Sequence, residues 1–139
     1  MSRAIETTSL RYGWTALALF LLLGLGLEFL HLVKAPWYLD VRIRRELWVL
    51  AHAHGTLLAA INLLYALTAE ACLPDPSKRR LAGRMLAWGA ALVPAGFFLG
   101  GIGNTESDPS LFIIATPIGA LMVLHAFAVT AVGAWRQRG

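Results

Sequence analysis

Long runs of apolar residues, separated by short polar connections, make up most of this chain. A helix needs ~20 residues to cross ~30 Å of hydrocarbon, and four runs reach that length, so we expect helices at about 12–33, 47–67, 81–102 and 111–135. Because the connections are short, neighbouring helices should pack antiparallel. The pattern predicts an all-α fold: one four-helix transmembrane bundle with up-down-up-down topology, in which residues 1–139 form a single integral membrane domain.

The composition agrees with a membrane protein. The chain is 58% hydrophobic and 14% charged, with a mean hydropathy of +0.63, whereas soluble domains are about 45–50% apolar and about 25% charged. The first apolar run is too long for the core of a signal peptide and lacks a clear cleavage site, so it should be a retained membrane helix. Cys72 is the single cysteine, which excludes an intrachain disulfide and a CxxC metal motif.

The net charge of +4 reflects membrane topology rather than nucleic-acid binding, because the basic residues cluster at the ends of the apolar runs. Cytoplasmic loops are enriched in Lys and Arg, so the side with more of them should be cytoplasmic. We therefore expect both termini in the cytoplasm, a location in the inner (plasma) membrane of a prokaryote, and no nucleic-acid partner. The side of the termini has eight basic residues, Arg3, Arg11, Lys78, Arg79, Arg80, Arg84, Arg136 and Arg138, and the other side has four, Lys34, Arg42, Arg44 and Arg45.

Ionisable side chains near the outer ends of the first two helices are the main functional candidates. Such residues are costly in hydrocarbon and usually face a bundle interior or a site. Glu28 and His31 share one face of the first helix because they are three residues apart, and His52 and His54 lie near the start of the second. All four should lie at the same bilayer face, and Glu28, His31 and His52 should reach similar depth. The predicted metal ligands are Glu28, His31, His52 and His54.

Helical geometry separates the histidines further. At ~100° per residue, His52 should point into the bundle with Gly55, while His54, ~200° away, should face another neighbour or a partner protein. His125 lies about 14 positions below the outer end of the last helix, roughly 20 Å down. It could pair with Tyr65 or Thr130, or act as an axial ligand at a second depth. The candidate haem ligands are therefore His31, His52, His54 and His125.

The sequence leaves several functions open for these ionisable residues. Imidazole ligates Cu, Fe and Zn, and carboxylate suits Fe or Zn. One or two histidines could instead be axial ligands of haem b held between helices. A third use is a protonatable network for a quinone or a proton path. The structural alternative is interhelical hydrogen bonding without a ligand.

The segment Leu47-Trp-Val-Leu-Ala-His-Ala-His-Gly-Thr-Leu-Leu58 resembles the second helix of the catalytic subunit of haem–copper oxidases. In that family a histidine near the outer end of this helix ligates the low-spin haem, so the resemblance implies that His52 or His54 ligates haem. The match covers about a dozen residues. The family has about twelve helices and a paired-histidine copper motif, and this chain lacks both, so a full oxidase centre is excluded.

Two functions of different class are therefore predicted. The first is binding of haem or a transition metal near the outer leaflet, in electron transfer or respiratory-type redox work. The second is a non-catalytic accessory or assembly subunit of a larger membrane complex. Gly96 and Gly100, at GxxxG spacing, predict a close-packing face for homo-oligomerisation or docking. No P-loop, GxSxG or HExxH motif is present, and nothing indicates hydrolytic chemistry; whether the protein is an enzyme stays open.

Overall fold

The computed structural model describes the backbone of residues 2–104 and 107–137, and the side chains of these ranges from residue 7 onwards. Arg3 and Arg138, which enter the charge count above, have side chains outside the described part. All regular secondary structure in the described part of the chain is helical. Its elements are α1 (Ser2–Leu32), α2 (Pro36–Leu39), α3 (Arg42–Cys72), α4 (Pro76–Gly100), a 3-10 turn (Leu111–Ile114) and α5 (Ala115–Arg136).

Four segments are long and apolar enough to cross a membrane: Thr7–Leu32, Arg42–Cys72, Pro76–Gly100 and Leu111–Arg136. The predicted all-α, four-helix architecture is confirmed. Several helices extend past the apolar runs that predicted them. For example, α3 begins within a charged stretch at Arg42, whose guanidinium lies 2.7 Å from the Glu46 carboxylate one turn later.

The long helices pack in the order in which they follow along the chain. The extensive interfaces are α1 with α3, α3 with α4, and α4 with α5. Helices α1 and α5 share no extensive interface. The arrangement is consequently open, with α1 and α5 at its two edges. Burial follows the same order: 11% and 17% of the residues in the apolar windows of the first and last spans are buried, against 44% in α4.

Glycines set the close approach of α4 and α5. A Cβ on Gly96 would lie 2.3 Å from Thr116 Oγ1, and one on Gly89 would lie 2.6 Å from the carbonyl oxygen of Gly119. The Gly96 and Gly100 face predicted to serve oligomerisation is therefore occupied within the chain, by Thr116 and Ile113. The main core lies along α3 and α4, with Leu58, Tyr65, Leu86 and Val93 among its buried members.

Candidate functional site

His52 lies at the interface between α3 and α1. Its Nδ1 is 2.7 Å from the carbonyl oxygen of Phe20. Because a carbonyl oxygen only accepts hydrogen bonds, Nδ1 must donate, which leaves Nε2 with a free lone pair. The ring rests against Gly24, where an added Cβ would lie 2.4 Å from His52 Cε1. His52 thus faces into the bundle, as the helical spacing predicts.

His54 faces a different helix. Its Nδ1 donates to the carbonyl oxygen of Leu50 in the same helix at 2.9 Å, and its ring centroid lies 5.0 Å from that of Phe97 in α4. The predicted divergence of His52 and His54 is therefore present. One metal ion cannot take both rings at these positions, since they contact helices on different sides of α3.

His31 lies near the C-terminal end of α1. Its Nδ1 donates to the carbonyl oxygen of Leu27 at 3.0 Å, and its ring meets Tyr38 edge-to-face, with centroids 5.2 Å apart. The side chain is exposed. It lines an open groove of about 510 Å³ together with Tyr38, Arg45 and Glu46.

An aromatic stack that the sequence did not predict holds α2 against α3 and α4. Tyr38 stacks on Trp48 with ring centroids 5.9 Å apart, and Trp48 stacks on Phe98 with centroids 4.8 Å apart. The indole Nε1 of Trp48 also donates to the carbonyl oxygen of Phe98 at 3.0 Å. The ring of Trp48 is thus packed between α2 and α4. The only sequence signal for the stack was the presence of several aromatic residues at one predicted membrane face.

Tyr38 has a hydroxyl group whose surroundings are unusual. The residue is 0% exposed, and its oxygen has no hydrogen-bond partner among the described residues. Burial raises the pKa of the phenol, the nearby Glu28 carboxylate raises it further, and the Arg45 guanidinium opposes both by lowering it. Tyr38 therefore connects His31 to two charged groups in one polar cluster at this end of the protein.

Glu28 and His125 both point outward from spanning helices. Each is exposed, and neither makes a hydrogen bond or ion pair with a described residue. The two partners expected for His125 are engaged elsewhere, because Tyr65 donates to the carbonyl oxygen of Arg79 at 2.6 Å and Thr130 to that of Ala126 at 2.8 Å. His125 instead lines a groove of about 490 Å³ with Cys72, Leu81 and Val129.

The predicted site residues do not converge on one point. No group of three or more His, Cys, Asp or Glu side chains able to hold a metal ion occurs within residues 7–104 and 107–137. His52 is level with Gly24 of α1, whereas His31 is seven residues further along that helix, a rise of about 10 Å. Within one chain, therefore, His31, His52 and His54 lie at separate positions, and each keeps Nε2 available.

Comparisons of the chain with protein-family models, curated proteins and solved structures find no match.

Proposed function

We propose that the protein is a small non-catalytic subunit of a larger membrane assembly, in which helices α1 and α5 face other chains. Its place would be the inner membrane of a prokaryote, with both termini cytoplasmic as the distribution of basic residues indicates. The partners are further copies of this chain or other membrane proteins. Its four membrane-compatible helices support a lipid bilayer as its environment.

The exposed Glu28 and His125 are the observation on which this proposal rests. Ionisable residues within membrane spans almost always face a bundle interior or a water-filled cavity and pair with another group. Here they lie on α1 and α5, the two edge helices, and both residues are exposed. An adjoining protein surface would replace lipid beside them and supply the polar partners that the described residues of the single chain do not.

The mass of the intact particle tests this proposal. The full chain is extracted from its native membrane in mild detergent and weighed by native mass spectrometry, alongside the variants Glu28→Gln and His125→Leu. We expect the wild type in particles heavier than one 15.1 kDa chain, and His125→Leu mainly as single chains. Ala131→Leu, at another exposed position of α5, is the steric control and should leave the assembly intact.

A single-chain mass for the wild type under these conditions would reject the proposal. Assembly of both His125→Leu and Glu28→Gln to the same extent as the wild type would reject it as well. The mass increment also separates the two kinds of partner, because copies of this chain add multiples of one mass and a different subunit does not.

Cofactor binding is a second candidate function, supported by the hydrogen bonds of the histidines. Metal-ligating histidines almost always donate their other ring N–H to a carbonyl or carboxylate, which fixes the tautomer. Nδ1 of His31, His52 and His54 donates in this way. We propose that Nε2 of one of these residues contributes a ligand to haem b or to a Cu, Fe or Zn ion in electron transfer, with the remaining ligands supplied by another chain. The local resemblance to haem–copper oxidases agrees with this candidate.

Absorption spectroscopy and elemental analysis on the same purified sample test the cofactor candidate. We expect a Soret band with sharp bands on reduction, or stoichiometric metal, and its loss in one of His31→Gln, His52→Gln or His54→Gln. Colourless, metal-free protein from cells with sufficient haem and metal would contradict it. That result would leave the assembly proposal unaffected, because the particle mass is measured independently.

A further inference from the structure

We propose that the groove between α1 and α4 binds an anionic glycerophospholipid, with its phosphate at the end of the bundle that bears both termini and one acyl chain along the two helices. This inference is independent of the assembly and cofactor proposals. It rests on the shape of the groove and on the charge at its mouth.

The groove is continuous because two adjoining hollows share walls. One hollow of about 450 Å³ lies near the start of α4 and contains Ser9 and Arg84 in its wall. The other, of about 470 Å³, continues toward Phe98. Tyr12 and Ala91 line both. The groove exists because α1 packs mainly on α3 and makes few contacts with α4.

The charge distribution along the groove matches a phospholipid. Arg80 and Arg84, one helical turn apart, line the mouth together with the hydroxyl residues Thr8 and Ser9, and no Asp or Glu within residues 7–104 and 107–137 lines either hollow. The deeper part is apolar, with walls that include Ala16, Leu19, Leu23 and Ala95. Basic pockets between membrane helices on the cytoplasmic side are a recurrent mode of anionic headgroup binding.

The length also fits. From Arg84 to Phe98 is 14 residues of α4, or about 21 Å of helix, and one leaflet contributes about half of the ~30 Å hydrocarbon core. A single acyl chain can therefore lie in the groove over its whole leaflet while its phosphate stays at the arginines. Trp88, which is 60% exposed and lines the mouth, places an indole at the headgroup level, where tryptophan is enriched.

Native mass spectrometry of the whole protein, in detergent with equimolar phosphatidylglycerol and phosphatidylcholine of the same acyl chains, tests the proposal. We expect the wild type to retain phosphatidylglycerol in preference. Arg84→Gln should reduce that preference about fivefold, since a basic residue near an anionic surface contributes ~1 kcal/mol. Arg84→Lys should keep most of it. Arg11→Gln, which removes the same charge from an exposed position outside the groove, should have little effect.

A second pair of variants tests whether an acyl chain lies in the groove. Ala91→Leu places a larger side chain where the two hollows meet, and should lower retention of both lipids. Ala18→Leu, at an exposed position of α1 outside the groove, should not. Equal retention of the two lipids by the wild type would overturn the proposal, as would equal losses in Arg84→Gln and Arg11→Gln, or full retention in Ala91→Leu. A second copy of the chain in the groove, seen by crosslinking at Ala91→Cys, would also overturn it.

Discussion

His52 and Phe20 join the first two long helices: the imidazole Nδ1 of His52 donates to the carbonyl oxygen of Phe20 at 2.7 Å. Inside α1 that oxygen is also the regular acceptor for the N–H of residue 24, one turn later. Residue 24 is glycine, so the ring can lie directly over the backbone and reach the oxygen. Phe20 in turn packs against Gly55, where a Cβ would lie 2.3 Å from the phenyl ring. Each helix thus places a ring on a glycine of the other.

Gly24→Ala should destabilise the protein. The added methyl would lie 2.4 Å from His52 Cε1, and overpacking of this kind costs about 1–3 kcal/mol, partly offset by up to about 1 kcal/mol from better helix propensity. The free energy of unfolding in mild detergent measures the difference. Gly26→Ala is the control, because a Cβ there meets nothing within 4 Å, and it should be neutral or stabilising. A loss in Gly26→Ala equal to that in Gly24→Ala would argue against the contact.

The cost of Gly24→Ala should vanish when His52 is also replaced. Residues in contact show coupling energies of about 0.5–3 kcal/mol in double-mutant cycles, so Gly24→Ala with His52→Ala should be more stable than the sum of the two single changes predicts. His54→Ala gives the comparison, because His54 bonds within its own helix and should combine additively with Gly24→Ala. Additive behaviour in both cycles would contradict the observed packing.

Tyr38→Phe should leave stability unchanged or raise it by up to about 1 kcal/mol. The hydroxyl is wholly buried and has no partner among the described residues, and burying an unsatisfied hydroxyl costs free energy. Trp48→Phe provides the contrast, because it removes the hydrogen bond to Phe98 and part of the stack, and should cost about 1–3 kcal/mol. The free energy of unfolding of each variant, measured against the wild type, tests both expectations. A clear loss in Tyr38→Phe would mean that the hydroxyl has a partner in the membrane.

Alkaline pH should destabilise the wild type more than Tyr38→Phe. The pKa of Tyr38 is raised in the folded protein, chiefly by burial, so its contribution to stability is complete below the unfolded-state pKa of about 10 and is lost as the pH rises through the folded pKa. Unfolding free energies measured over this alkaline range should diverge between the two proteins. Parallel pH profiles would show that Tyr38 ionises as freely in the folded state as in the unfolded state.

Gly96→Ala should destabilise the chain itself rather than an association between chains. Its Cβ would lie 2.3 Å from Thr116 Oγ1 and 2.6 Å from Thr116 N in α5, and the backbone nitrogen has little freedom to move. We expect a loss of about 1–3 kcal/mol in unfolding free energy, with the particle mass of the folded fraction unchanged. Dissociation of the assembly at unaltered unfolding free energy would instead place Gly96 at an interface between chains.

The four helices could be predicted because apolar length alone defines a membrane span. The ends of the helices could not be predicted in this way. Helix α3 begins at Arg42, within a charged stretch that a hydropathy pattern leaves outside the span. An ion pair of 2.7 Å joins Arg42 to Glu46 across that first turn. The faces of His52 and His54 were also predictable, because they follow from the angle between residues in a helix.

The relative depth of the histidines was not predictable. It depends on how far one helix slides along another, and contacts such as His52 on Gly24 and Phe20 on Gly55 fix that register. A sequence pattern gives the rotation of each helix but not this translation. For the same reason the sequence indicated that Glu28, His31 and His52 would meet, whereas His52 lies about two turns deeper than His31. The stack of Tyr38 on Trp48 likewise depends on contacts between elements distant in sequence.

The sequential packing of the long helices has a consequence for biogenesis. Each of them has its main contacts with the one made just before it and the one made just after it, so most interfaces are local in sequence, and local contacts favour rapid folding. During synthesis, α3 can pack on α1 before α4 exists, and α4 can pack on that pair before α5 emerges. No span has to wait in the lipid for a distant partner, and the last surfaces to be covered are those that only another chain or a lipid can reach.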